Sequence, residues 1–180
     1  MQYADWYEQD REFLRSMYGD GWQLMAGLLA ATSPQVRLET SWQWSTAIYR
    51  SFKAGNEPDL SMLHRCHILN VQRALAGEPL QGRKVRAFYA ALCGDTDAVV
   101  LDMWMLRLFK YYPRHTHNPR GGRYDRLAAA FRCVARHNGI EPAELQAMLW
   151  ISYRQKHGFG PTSYCIAGQD KNQYTFEDLI

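Results

Sequence analysis

The 180-residue chain reads as an all-α protein, about seven or eight helices in one globular domain covering 1–180. Three observations predict this. Apolar residues recur at the 3.6-residue spacing of an amphipathic helix in segment after segment. The breaks between segments fall on Gly, Pro, Asn and Asp, which stop helices or make turns. No stretch alternates apolar and polar residues as a half-buried strand would, and no repeat or low-complexity segment interrupts the pattern.

The first helix is expected over residues 3–18, where Trp6, Tyr7, Phe13, Leu14, Met17 and Tyr18 make an aromatic stripe ended by Gly19-Asp20-Gly21. Stripes of this kind are usually core. Residues 22–32 are nearly continuously apolar and read as a central buried helix. Its small residues Ala26, Gly27, Ala30 and Ala31 let neighbouring helices come close. Pro34 lacks a backbone donor and restricts Ser33, so the helix stops there. A further helix is predicted over 40–52, with Trp42, Ile48, Tyr49 and Phe52 packed and Trp44 to one side. Beyond the loop at 54–58, Asp59 or Ser61 is expected to cap a helix carrying Leu63, Ile68, Val71 and Leu75. His64 and His67 lie three apart on it, a spacing that suits a metal, but no third ligand is near and both are expected at the surface.

Residues 80–108 organise the rest. Gly82 marks a turn, and Val85, Phe88, Tyr89 and Leu92 give the next helix a buried face. Gly94 ends it. Val99, Val100 and Leu101 then form a buried rise that delivers Asp102 to the start of a helix with Met105, Leu108, Phe109 and Tyr112 on one face, ended by Pro113. Lys84 and Asp102 thus stand at opposite ends of one helix-loop unit. On local grounds alone Asp102 is a favoured N-cap and Lys84 a surface cation.

The run from Arg114 to Arg123 is basic, with Arg114, Arg120 and Arg123 among two histidines and two glycines. Such a loop suits phosphates, because the guanidinium fork matches phosphate oxygens; the bland alternative is a solvated linker. Helices are predicted over 124–137, with Leu127, Phe131 and Val134, and from Glu141-Pro142 onward, with Leu145, Met148, Leu149 and Ile151. On the latter, Gln146 and Trp150 are one turn apart and pair a polar group with a stacking one. The tail from His157 reads as an irregular wrap.

A formal charge of +3 permits an anionic partner without requiring one. The cysteines at 66, 93, 133 and 165 have neither a C-x-x-C pair nor ligand spacing, so no metal and no cofactor is expected. Thiols without a secretion signal favour a reducing cytoplasm. No apolar run reaches the roughly 20 residues of a membrane span.

Gly82-Arg83-Lys84-Val85 followed by Leu101-Asp102-Met103-Trp104-Met105-Leu106-Arg107 resembles the core of the helix-hairpin-helix DNA glycosylases, in particular their endonuclease III-like and 8-oxoguanine glycosylase-like members. The resemblance spans roughly residues 20–155 and is specific between 80 and 108. Leu80 stands where the family's hairpin has its first glycine, and Trp104 where the carboxylate string has its histidine. The resemblance implies a divergent bacterial or phage member, monomeric and nucleoid-associated, acting on a flipped base in duplex DNA by cleaving the N-glycosidic bond, with or without lyase activity. Asp102 would be the catalytic carboxylate and Lys84 the nucleophile. Gly82, Arg83, Arg86, Gln35, Thr32, Arg114, Arg120 and Arg123 would meet DNA, and Trp104, Gln146 and Trp150 would line the base pocket. Two other readings fit the same scaffold: an enzyme that modifies a base without excising it, and a DNA-binding module without catalysis.

Overall fold

The computed structural model describes residues 4–110, 122–159 and 163–165. Among them are eight α-helices and no strand: α1 (Trp6–Tyr18), α2 (Trp22–Thr32), α3 (Leu38–Lys53), α4 (Arg65–Leu75), α5 (Arg83–Leu92), α6 (Met103–Leu108), α7 (Arg123–His137) and α8 (Pro142–Lys156). A 3-10 turn, Gly19–Gly21, joins α1 to α2. The all-α expectation holds. No described helix is long and apolar enough to cross a membrane. The chain forms two compact units, the first from the start of α1 through Glu8 with Gln81 onward to the end of α8, the second from Gln9–Leu80 with residues 163–165.

The second unit is built on α2, which is buried from Met25 to Thr32 and packs against α3 and α4. Its small residues serve that packing, and the approach is also close at the turn before it. A Cβ on Gly21 would overlap the Tyr49 hydroxyl, so any larger residue there must displace the Tyr49 ring. Apolar packing against α3 is interrupted by one polar knot. The Thr32 hydroxyl donates to the Leu28 carbonyl at 3.0 Å and lies 2.7 Å from Ser41 Oγ and 2.9 Å from Ser45 Oγ, all buried. Tyr164, fully buried, brings its hydroxyl to 3.4 Å from Ser41 Oγ and packs its ring against Trp42. Asp10, also fully buried, accepts the backbone N–H groups of Tyr164 at 3.2 Å and Cys165 at 2.9 Å. Burial drives its pKa up to about 7 against the lowering effect of those two donors.

Two local expectations change in this unit. Neither Asp59 nor Ser61 caps α4, which begins after His64 without a side-chain cap. Asp59 instead accepts the Ser61 N–H at 2.8 Å, closing a turn two residues on, the usual competitor of a cap for Asp. His67 is not a surface histidine. It is fully buried between Trp44 and His64, its Nε2 2.7 Å from the Pro34 carbonyl, while His64 remains exposed.

In the first unit Val99, Leu101, Met105, Leu106, Tyr124, Ala128 and Phe131 form the core, joining the rise before α6 to α6 and α7. Two polar ties hold that rise. The Tyr124 hydroxyl accepts the Leu101 N–H at 3.1 Å and donates to the Val99 carbonyl at 3.2 Å. At the other end the Ala143 N–H, in the first turn of α8, donates to the Thr96 carbonyl at 2.9 Å. Between them Asp97 binds the guanidinium groups of Arg132 and Arg136. Val134, expected on the packed face of α7, is 55% exposed because that face runs through Tyr124, Ala128, Phe131 and Ala135 instead. The helix after Asp102 is shorter than its sequence pattern implies. It stops at Leu108, and Lys110 takes a left-handed conformation (φ 54°). The expectations for Tyr112, Pro113 and the loop as far as Gly121 lie outside the described residues, as do those for the tail beyond Cys165.

Candidate active site

Asp102 is the N-cap of α6, and both carboxylate oxygens are occupied. Oδ1 accepts the Met105 N–H at 2.9 Å, satisfying one of the amides that a helix start leaves open. Oδ2 accepts the indole N–H of Trp150, on α8, at 2.7 Å. One bond comes from three residues away and fixes the side chain to its own helix. The other comes from 48 residues away and fixes it to α8.

Lys84 is the second residue of α5, and its amine lies close enough to Asp102 to feel its charge. The residue as a whole is only half-buried, whereas the amine end is enclosed and sits 5.1 Å from the centre of the Phe88 ring. That burial lowers its pKa from the ordinary 10.5 to about 8, with the Asp102 charge working in the opposite direction. The start of a helix, with its partial positive charge, is a further poor place for an ammonium. The flanking Arg83 and Arg86 are not among the causes. Arg83 forms an ion pair with Asp125 at 3.2 Å and Arg86 is exposed.

Trp150 therefore belongs to the site, held through its N–H. Its ring packs against Trp6 at 5.9 Å and carries the Arg154 guanidinium 4.3 Å above it. Gln146, expected to line the base pocket, lies one turn earlier. It is buried, and its Oε1 accepts the Tyr7 hydroxyl at 2.6 Å, an anchor for the start of α1. Trp104 is half-buried and crowded: Phe159 lies against it at 4.9 Å, with the guanidinium groups of Arg107 and Arg154 at 5.0 and 5.9 Å.

The residues expected to meet DNA divide by exposure. Gly82 is exposed in the left-handed half of backbone space (φ 89°, ψ 134°), a turn that suits glycine, and it opens α5. Arg86 and Arg123 are exposed, the latter as the first residue of α7. Gln35 is exposed too, with φ at 62°, an uncommon conformation for a residue bearing a side chain. Thr32 is a correction. It is fully buried and its hydroxyl is engaged in the knot with Ser41 and Ser45, because a short hydroxyl at the end of an apolar helix turns back into the packing. Arg114 and Arg120 lie outside the described residues.

Two residues of the site carry no local signal. Tyr124 ties down the rise that presents Asp102, and its phenol is pushed up to about 12 by burial first, with Asp102 among the lesser causes. Arg154 covers the face of the indole that holds the carboxylate. Among the described residues no three His, Cys, Asp or Glu side chains converge as a metal site.

The chain matches the model of a family of unknown function, DUF7178, over residues 1–157, and so belongs to that family. No curated protein and no solved structure matches it.

Proposed function

We propose that this member of the DUF7178 family is a DNA glycosylase-like enzyme that cleaves the N-glycosidic bond of a flipped base, with Asp102 as the charge-stabilising carboxylate and Lys84 as the amine nucleophile. The observation that carries the reading is an enclosed Lys84 amine, held near pKa 8, within reach of the charge of Asp102, 18 positions away in sequence. Breaking the bond leaves positive charge on the sugar, which a fixed carboxylate stabilises. Attack at C1′ needs a neutral amine, and a lysine supplies one near neutrality only when desolvated. The exposed start of α5 at Gly82 and the exposed Arg86 and Arg123 are of the kind that grips phosphates.

Borohydride trapping on duplexes bearing single damaged bases or an abasic site tests this. The wild type is expected to form a covalent adduct at Lys84 with at least one substrate, and Lys84→Gln to form none. Lys84→Arg should bind but also form none, since arginine is essentially never neutral. Absence of both adduct and base release across the panel refutes the reading.

A further inference from the structure

We propose that Trp150 is the positioning residue of this site: its indole N–H, opposed by the Met105 amide, clamps the Asp102 carboxylate in one orientation beside Lys84. The inference rests on the reading of Lys84 and Asp102 as the reacting pair, and goes beyond it by naming the residue that orients the carboxylate. The two donors arrive at 2.7 and 2.9 Å on different oxygens and from different helices, so rotating the carboxylate would break both bonds together. A carboxylate in that state stabilises positive charge well. The enclosed amine of Lys84 gains and loses a proton near neutrality, so it reports on the charge beside it.

Among the described residues, the groups facing the clamp come from four helices. Lys84 comes from α5, Tyr124 from α7 and Arg154 from α8, where its guanidinium lies on the Trp150 ring. From α1 comes the Trp6 ring. Tyr124 spends its hydroxyl on the backbone of the rise. The indole N–H is thus the donor through which α8 reaches Asp102. It also acts on Lys84 indirectly: a hydrogen bond draws charge from the carboxylate, and losing it leaves Asp102 more negative and free to turn toward the amine.

Trp150→Phe removes the N–H while keeping a ring for Trp6 and Arg154 to pack on. The readout is the pH dependence of reductive methylation of Lys84 by formaldehyde and cyanoborohydride, followed by peptide mass spectrometry, which needs no DNA. The wild type should show a midpoint near pH 8. Trp150→Phe should move it upward, making Lys84 about threefold or more less reactive at pH 7. Trp150→His, which can still donate an N–H, should restore part of the loss. The effect of Trp150→Phe should vanish in an Asp102→Asn background, because the two residues act as one unit. A merely structural tryptophan would shift both backgrounds alike, and that result overturns the proposal. So does a wild-type midpoint in Trp150→Phe. Should the labelling pattern appear as expected while no damaged DNA is processed, the clamp stands and the glycosylase reading falls.

Discussion

On the proposed function, Asp102→Asn should move the roles of Lys84 and Asp102 in opposite directions. At pH 7 an amine with a pKa of about 8 is neutral in about one molecule in eleven, against about one in three thousand at the ordinary 10.5. Asp102 is the charge that holds Lys84 up, so removing it should lower the midpoint below 8 and enlarge the neutral fraction further. Trapping on a preformed abasic aldehyde, which needs only the amine, should therefore hold or rise. Base excision, which needs the carboxylate, should fall about 100- to 1,000-fold or more, the usual consequence of deleting one stabilising group in a transition state. The fold should survive. Asn caps helices about as well as Asp, so the Met105 bond is kept, and the loss is the charged acceptor of the Trp150 N–H, about 1.5–3 kcal/mol. Urea unfolding measures that loss, and parallel trapping and excision assays measure the split. Excision unchanged, or trapping and excision falling together in proportion to unfolded protein, would refute the reasoning.

Other expectations concern the scaffold and its surface. Asp10 has a folded pKa of about 7 against 3.8 unfolded, so the folded state holds the extra proton between them. Its contribution to stability is complete below about pH 4 and is lost as pH rises through 7, by at most about 4 kcal/mol. Asp10→Asn should flatten that part of a stability–pH curve measured by denaturant unfolding; an unchanged slope would show that Asp10 does not titrate there. Gly21→Ala should lower the thermal midpoint by several degrees, since the new methyl meets the Tyr49 hydroxyl, and pairing it with Tyr49→Phe should recover part of the loss. Neutralising Arg86 and Arg123 together should weaken duplex binding whatever the base, and reduce the log–log salt slope by about 0.9 for each phosphate no longer neutralised. A slope that stays put would remove both from the DNA surface.

Helices proved readable where local chemistry decides them. The Gly19-Asp20-Gly21 stop, the Pro34 break and the Pro142 start fall where the structure has them, because each depends on backbone properties of the residue itself. Partners remote in sequence were not readable. Asp59 had two local uses, capping and turn closure, and the choice depended on where α4 could begin. His67 carries no mark of burial; it is inside because the Pro34 carbonyl, 33 residues away, needed a donor. The site divides the same way. Lys84 and Asp102 stood out through the resemblance, and Trp150 as an aromatic residue of α8. That its contribution is an N–H rather than a stacking face depends on how α8 packs on α6, which no local pattern encodes. Thr32 and Gln146 show the converse: a polar side chain on an otherwise apolar helix signals either a ligand site or an internal hydrogen bond, and both have internal partners.

Capping, which the structure has, and charge stabilisation, which the proposed function asks of Asp102, are compatible in one geometry. The cap uses Oδ1 and determines where α6 begins. Because that bond comes from the helix backbone, it also ties the direction of Oδ2 to the orientation of α6, which is set in turn by the core of Met105, Leu106, Tyr124 and Phe131. Trp150 then meets Oδ2 from α8. A carboxylate anchored this way has little freedom to move toward a charge forming nearby, so its field is already in place when the charge appears, which is the condition under which electrostatic stabilisation costs least reorganisation. The helix start that makes Asp102 look ordinary is what makes its charge stationary.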